Sequence, residues 1–352
     1  MATKPTRFAQ MGDTTEKVKV YTGIPKQLVV DTSKWKIHLM DGSTPGGFEV
    51  AMAADLTTGL AQKVDTSTFT TGLAQKVDKS NFSNYFYLNG VPNTASAHNS
   101  IARGEDLKQW FTIESLSAQV RAGNFSNIFI GDYLDVEMTS SISGTETVRW
   151  QVAGIDSFLN FGYPDESMTS QHHLVLLPRD TFNSNPKFNN TDTTSGGFIG
   201  SAMWKTVLPA YATAVKNAFG SSHVLKHREI ISNNMNASTP SMAGAGWNGA
   251  TTGWDWYDVE LMLPSEVQVY GTMILSSSFH DVGTRNRQLP LFALCQDQLI
   301  AYRGYTKQFR SAWWLSAVAS SAAFAGVTGD GLATCDTASV EWGGIRPYFL
   351  FS

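Results

Sequence analysis

AWWLSAVASSAAFAGVTGDGLATCDTASVEWGGIRPYFLF, residues 312–351, is the stretch on which the fold turns. Its centre, SAVASSAAFAGV (316–327), is the longest small-apolar run in the chain, but it is too short and too rich in serine to span a bilayer. TGDG follows at 328–331, and a Gly-Asp-Gly step between apolar runs predicts a tight hairpin turn between two strands. The tail is therefore read as sheet, with at least one of Trp313 and Trp314 in a core.

Working outward, the spacing upstream predicts more short elements. Leu107, Trp110, Phe111, Ile113, Leu116 and Val120 recur at helical intervals within 104–123, and 203–220 reads as a helix closed by Gly220. Runs at 128–138, 148–158 and 172–182 alternate like strands, and the polar 183–197 reads as a loop. This predicts an α+β domain of about 250 residues with many short strands.

Residues 17–51 alternate separately. Val18 and Val20, then 28–30, then Trp35, Ile37 and Leu39 predict three short strands, with turns at Asp31-Thr-Ser and Asp41-Gly-Ser-Thr-Pro-Gly-Gly. So small a unit buries too little to stand alone.

Between the two regions lies an echo. TTGLAQKVD occurs at 57–65 and again at 70–78. Leu56, Leu60, Val64, Phe69, Leu73, Val77, Phe82 and Phe86 are spaced 4-4-5-4-4-5-4, close to helical but not a heptad. Short helices with one apolar stripe are predicted, each restarted at an Asp-x-Ser cap. The first seven of these residues are the expected trimerisation contacts; the alternative is a monomeric helical hairpin packed on the C-terminal domain.

Composition limits function. Only 16% of the 352 residues are charged, below the usual quarter, so Ser, Thr, Asn, Gly and aromatic residues build much of the surface. Net charge is -4 with no basic block, which removes the footprint of nucleic-acid binding. Two cysteines forty positions apart, Cys295 and Cys335, exclude a disulfide framework and a cysteine-rich zinc site, and two buried free thiols are expected, with one disulfide between them as the alternative. The N-terminus carries no apolar leader run, so work outside a bacterial cell is expected to follow lysis or release in a virus particle.

No catalytic constellation stands out. His223 and His227 are four apart on an expected helix, but Val224 holds the Glu position of HExxH. His172-His173 would point to opposite faces of a strand, as would Asp132 and Asp135. The Ser, His and Asp of SSSFHD (276–281) are neighbours in sequence, which is not triad geometry. No enzyme activity, cofactor or metal is expected. The aromatic signal is stronger: ten Trp, several beside Gly, Ser and Thr, resemble the rigid anchors of binding surfaces, with Trp254 and Trp256 expected in a Gly-rich loop.

Three stretches carry a resemblance. QLVVDTSKWKIHLMDGSTPGGFEVA (27–51) looks like the small N-terminal β module of phage tail-fibre and tropism-determinant proteins. LAQKVDxSxF resembles phage stalk repeats. IGDYLDV, VRWQVAGID, LVLLP, DVELMLPSEVQVYG, AWWLS and GGIRPYFLF are similar to pieces of C-type-lectin-fold domains of phage and gut-bacterial surface proteins.

The resemblance implies a homotrimeric phage fibre: a virion-anchoring β module at 1–54, a repeat stalk at 55–90 and a C-type-lectin-like head at 91–352. Such a head, on a tail or capsid fibre, would bind a host cell-surface glycan or protein without catalysis or membrane insertion. The N-terminal module would meet capsid or tail proteins. Loops near the end would form the receptor surface, here Ser316, Val318, Ser320, Asp336, Ser339, Glu341 and Trp342 together with Trp254 and Trp256. The EPN, QPD and WND motifs of calcium-dependent lectins are absent, so no calcium-bridged glycan site is implied. Formylglycine-generating enzymes need a close cysteine pair, which Cys335 lacks.

Overall fold

The computed structural model describes residues 11–50, 91–161, 169–235, 251–276, 287–304 and 309–352. The chain divides into two compact units, Met1–Ser83 and Asn84–Ser352. The repeat and its apolar residues, Leu56 to Phe82, lie outside the described residues.

In the first unit, β1 (Met11–Asp13), β2 (Leu28–Asp31), β3 (Lys36–Leu39) and β4 (Phe48–Glu49) form one sheet in that order. β1 runs parallel to β2 and the other pairs are antiparallel. Val18 and Val20, expected in a strand, lie in a helix, Thr15–Val20. The reason is topological: parallel neighbours need a crossover, and this helix supplies it. Asp31 and Asp41 set the turns by accepting backbone N–H groups, from Ser33 and Lys34 and from Ser43 and Thr44.

Register decides which side chains this sheet covers. Val29 faces the helix and packs with Val18 and Met40, the buried hydrophobic residues among those described in this unit. Leu28 pairs with Leu39, and Leu39 with Phe48, so these three share the opposite face. They are 45%, 42% and 59% exposed.

The second unit is α+β. β5 (Tyr133–Ser140), β6 (Gly144–Ile155) and β7 (Leu174–Pro178) make an antiparallel meander, extended by β8 (Val224–Leu225). β9 (His227–Met235) and β10 (Thr251–Val259) pair as a long ribbon, and β11 (Ala301–Tyr302) with β12 (Arg310–Ser311) as a short one. β13 (Trp313–Val318), β14 (Ala323–Val327) and β15 (Ala333–Thr337) form a third sheet, and β16 (Phe349–Phe351) ends the chain. β16 is inserted between β7 and β8, giving the order β5-β6-β7-β16-β8.

The predicted hairpin is present. Gly331 N–H donates to the Thr328 carbonyl at 3.0 Å, and Gly331 takes φ +85°, a conformation that favours glycine. Both Trp313 and Trp314 are fully buried. The helix expected at 203–220 begins with a π-helical segment, Met203–Val207, ahead of Pro209, and continues as Leu208–Phe219. The helix expected over 104–123 is interrupted, because Thr112 and Ser115 form a capping box that starts a new helix, Ile113–Arg121. Trp150 anchors the core, meeting Phe182, Phe219 and Phe349 edge-on.

Two buried polar pins hold these layers. The Arg103 guanidinium grips Asp132 with two bonds, 3.0 and 2.7 Å, and Asp132 also accepts N–H groups from Gly104, Glu105 and Phe129. Arg346, fully buried, donates to the carbonyls of Pro178 and Gln298 and lies 4.7 Å from the Trp313 ring centroid. Burial pushes its pKa down to about 9. Gly344 lets this segment pass Thr181, whose side chain a Cβ would approach to 2.5 Å.

Asp132→Ala would strand Arg103, 5% exposed, without its counter-ion. It is expected to cost about 3–5 kcal/mol in urea unfolding, whereas Arg310→Ala in the exposed Arg310–Asp330 pair should cost under about 1 kcal/mol.

Candidate functional site

The second unit contains a cavity of about 590 Å³, within the range of small-ligand sites. Its apolar lining includes Phe158, Phe161, Trp254, Leu289 and Val318. Asp156, Glu229 and Glu266 bring three carboxyl groups to it, and the one cationic residue among the described lining, Arg287, is exposed.

Glu229 is held through one of its two carboxyl oxygens. It stands on β9 two residues after His227, whose Nε2 lies 2.6 Å from Glu229 Oε1. The Tyr348 hydroxyl donates to the same oxygen at 2.5 Å and accepts from Gln268 Nε2 at 2.9 Å. Gln268 is held in turn by the capping box that Ser265 forms at the start of helix Glu266–Tyr270. Burial and the neighbouring carboxylate push the Tyr348 pKa well up, so its hydroxyl remains a donor. Phe158 stacks on Tyr348 with centroids 5.6 Å apart and packs on His227 at 5.0 Å. Glu229 Oε2 makes no hydrogen bond among the described residues.

The other two carboxylates are occupied. Asp156 accepts the His173 N–H at 2.9 Å and approaches His172 Nδ1 at 2.6 Å. Glu266 accepts from the N–H groups of Leu275 and Ser276 and from the Ser276 hydroxyl. His173 is buried behind this wall, accepting the Phe158 N–H at Nε2 and donating from Nδ1 to the Gln171 carbonyl. These bonds fit the neutral ring, and burial pushes its pKa down to about 4.

Of the residues expected to bind a receptor, Trp254, Ser316 and Val318 line the cavity. Trp254 and Trp256 stand on β10, not in a Gly-rich loop, because β9 supplies a pairing partner for each. Both are half-buried; Trp254 lines the cavity, and Trp256 meets Phe161 edge-on at 6.0 Å. Ser316 and Val318 are buried on β13 but also line the cavity. Ser320 closes its own turn, with Oγ accepting from Ala322 and Ala323. Ser339 N–H donates to Asp192, and Trp342 packs edge-on against Trp314 at 4.9 Å. Asp336 is half-buried at β15, and Glu341 is exposed.

The histidine pair is also corrected. His223 lies in a 3-10 turn and His227 on β9, so they are not successive turns of one helix. Among the described residues no group of three His, Cys, Asp or Glu is placed to hold a metal. Cys295 and Cys335 are free, as expected, but half-buried. Ser276 bonds Glu266, and residues 277–281 lie outside the described residues.

Glu229, Tyr348 and Gln268 went unnoticed in the sequence. The Ser265-x-x-Gln268 spacing does announce a capping box, but nothing local marks Glu229. Compared with known proteins, the chain matches no family model, no curated protein and no solved structure.

His173 has a consequence for stability. Its pKa falls from 6.5 when unfolded to about 4 when folded, so the unfolded chain takes up a proton that the folded chain refuses. Stability is therefore full above this window and is expected to fall by up to about 3 kcal/mol as pH drops through it. Urea midpoints measured from neutral pH downward check this, and a flat profile would refute it.

Proposed function

We propose that the chain is a non-enzymatic, homotrimeric fibre protein of a phage virion. Its N-terminal β module would anchor it to the particle, and a C-terminal lectin-like head would hold a host cell-surface receptor. One observation carries the oligomer. Among the described residues of the first unit, Val18, Val29 and Met40 are buried, while Val20, Ile24, Leu28, Trp35, Leu39, Phe48 and Val50 are exposed. Described residues that expose more large apolar groups than they bury support covering by other chains. In the sequence, the adjoining repeat also places apolar residues at intervals of four and five.

For the head, the cavity supports recognition by binding, since it sets aromatic and aliphatic side chains beside a carboxylate that is fixed through one oxygen. Three heads on one stalk would add weak contacts by avidity, gaining about two to four orders of magnitude over one head. The competing role is a structural capsid decoration or head fibre without a receptor.

Native mass spectrometry of the full chain is expected to give three copies, and a single copy would overturn the assembly. Labelled full-length protein is expected to bind host cells; absence of binding would favour the decoration role. Leu39→Glu, on the exposed ladder, should lower the oligomeric state while leaving the far-UV spectrum of the larger unit in place.

A further inference from the structure

The chemistry still free in the cavity wall narrows its ligand. Most lining amides and hydroxyls are committed to the protein itself. The Asn99 side chain exchanges two bonds with the backbone of Ile155, both 2.8 Å. Gln268 serves Ser265 and Tyr348, Ser265 caps its helix, Ser232 accepts from Phe198, and Ser316 leans on Pro264. A polyhydroxylated ligand would find few free partners in the wall to replace its bonds to water.

An anion is disfavoured more strongly, because three carboxyl groups line the space against one exposed arginine. What remains is Glu229 Oε2, 8% exposed as a residue and fixed through its other oxygen, together with aromatic rings and aliphatic walls. A carboxylate so buried gains from a positive partner, and Trp and Phe rings attract cations through their faces.

We propose that this cavity binds an organic ammonium group, primary or quaternary, on a short apolar stem, with Glu229 as its counter-ion. Trp254, Phe158 and Phe161 supply the aromatic surface. As a receptor determinant this rests on the adhesion reading; as a ligand site it stands apart from it.

The test is calorimetry on the full chain with choline and n-butylamine, set against 3,3-dimethylbutan-1-ol, the neutral carbon counterpart of choline, and glucose. One ammonium probe is expected to bind per chain, at least about tenfold tighter than the neutral alcohol, and more weakly as salt rises. Glu229→Gln should weaken choline by about tenfold or more, and Trp254→Leu by several-fold. Should Glu229→Gln not fold, Trp254→Leu and the comparison with the neutral alcohol decide the matter.

The inference fails if the alcohol or glucose binds as tightly as choline, if neither ammonium probe binds, or if the folded variants bind like the parent. Failure here with host-cell binding intact would sink this site alone. Choline binding without any host-cell binding would sink the adhesion reading alone.

Discussion

A buried carboxylate must be held, and in this protein the holding organises a large part of the second unit. Glu229 Oε1 takes the His227 ring on its own strand and the hydroxyl of Tyr348, which stands 119 positions later, just before the final strand. Tyr348 also joins to Gln268 and so to the first turn of helix Glu266–Tyr270. One oxygen atom thus ties the β9–β10 ribbon to the C-terminal run and to that helix. Removing any member would leave a charged or polar group stranded in an apolar surround, a penalty larger than the net worth of the bond itself.

The same long-range logic runs through the fold. β16 completes its sheet only by entering between β7 and β8, so two of the four pairings of the five-stranded sheet wait for the last residues of the chain. Arg346 then locks the insertion by bonding Pro178 at the end of β7 and Gln298 far downstream of it. Pairings of such separation carry a high loop-closure cost, which predicts slow, cooperative folding of this unit. The described part of the first unit is the opposite case, with local contacts and three buried hydrophobic residues.

What the sequence made legible follows from how local each signal is. The turn at 328–331, the helix Leu208–Phe219 with its Gly220 terminator and the strand at 174–178 are all marked within their own neighbourhoods. Val18 and Val20 misled because alternation cannot reveal that β1 and β2 run parallel and need a helix between them. Trp254 and Trp256 read as loop because the glycines before them speak locally, whereas the partner strand β9 is supplied from some twenty residues away. The cavity was invisible for a stronger reason: Ala95, Phe158, Glu229, Leu289 and Val318 meet in it from separate elements, and no window contains them.

The central claim is that Glu229 presents a fixed, unsaturated carboxylate oxygen to a ligand-binding cavity. The most direct measurement is a crystal structure of the full chain grown with saturating choline. Electron density for the trimethylammonium group is expected inside the cavity, facing Glu229 Oε2. An empty cavity, or choline ordered only elsewhere on the protein, would contradict it.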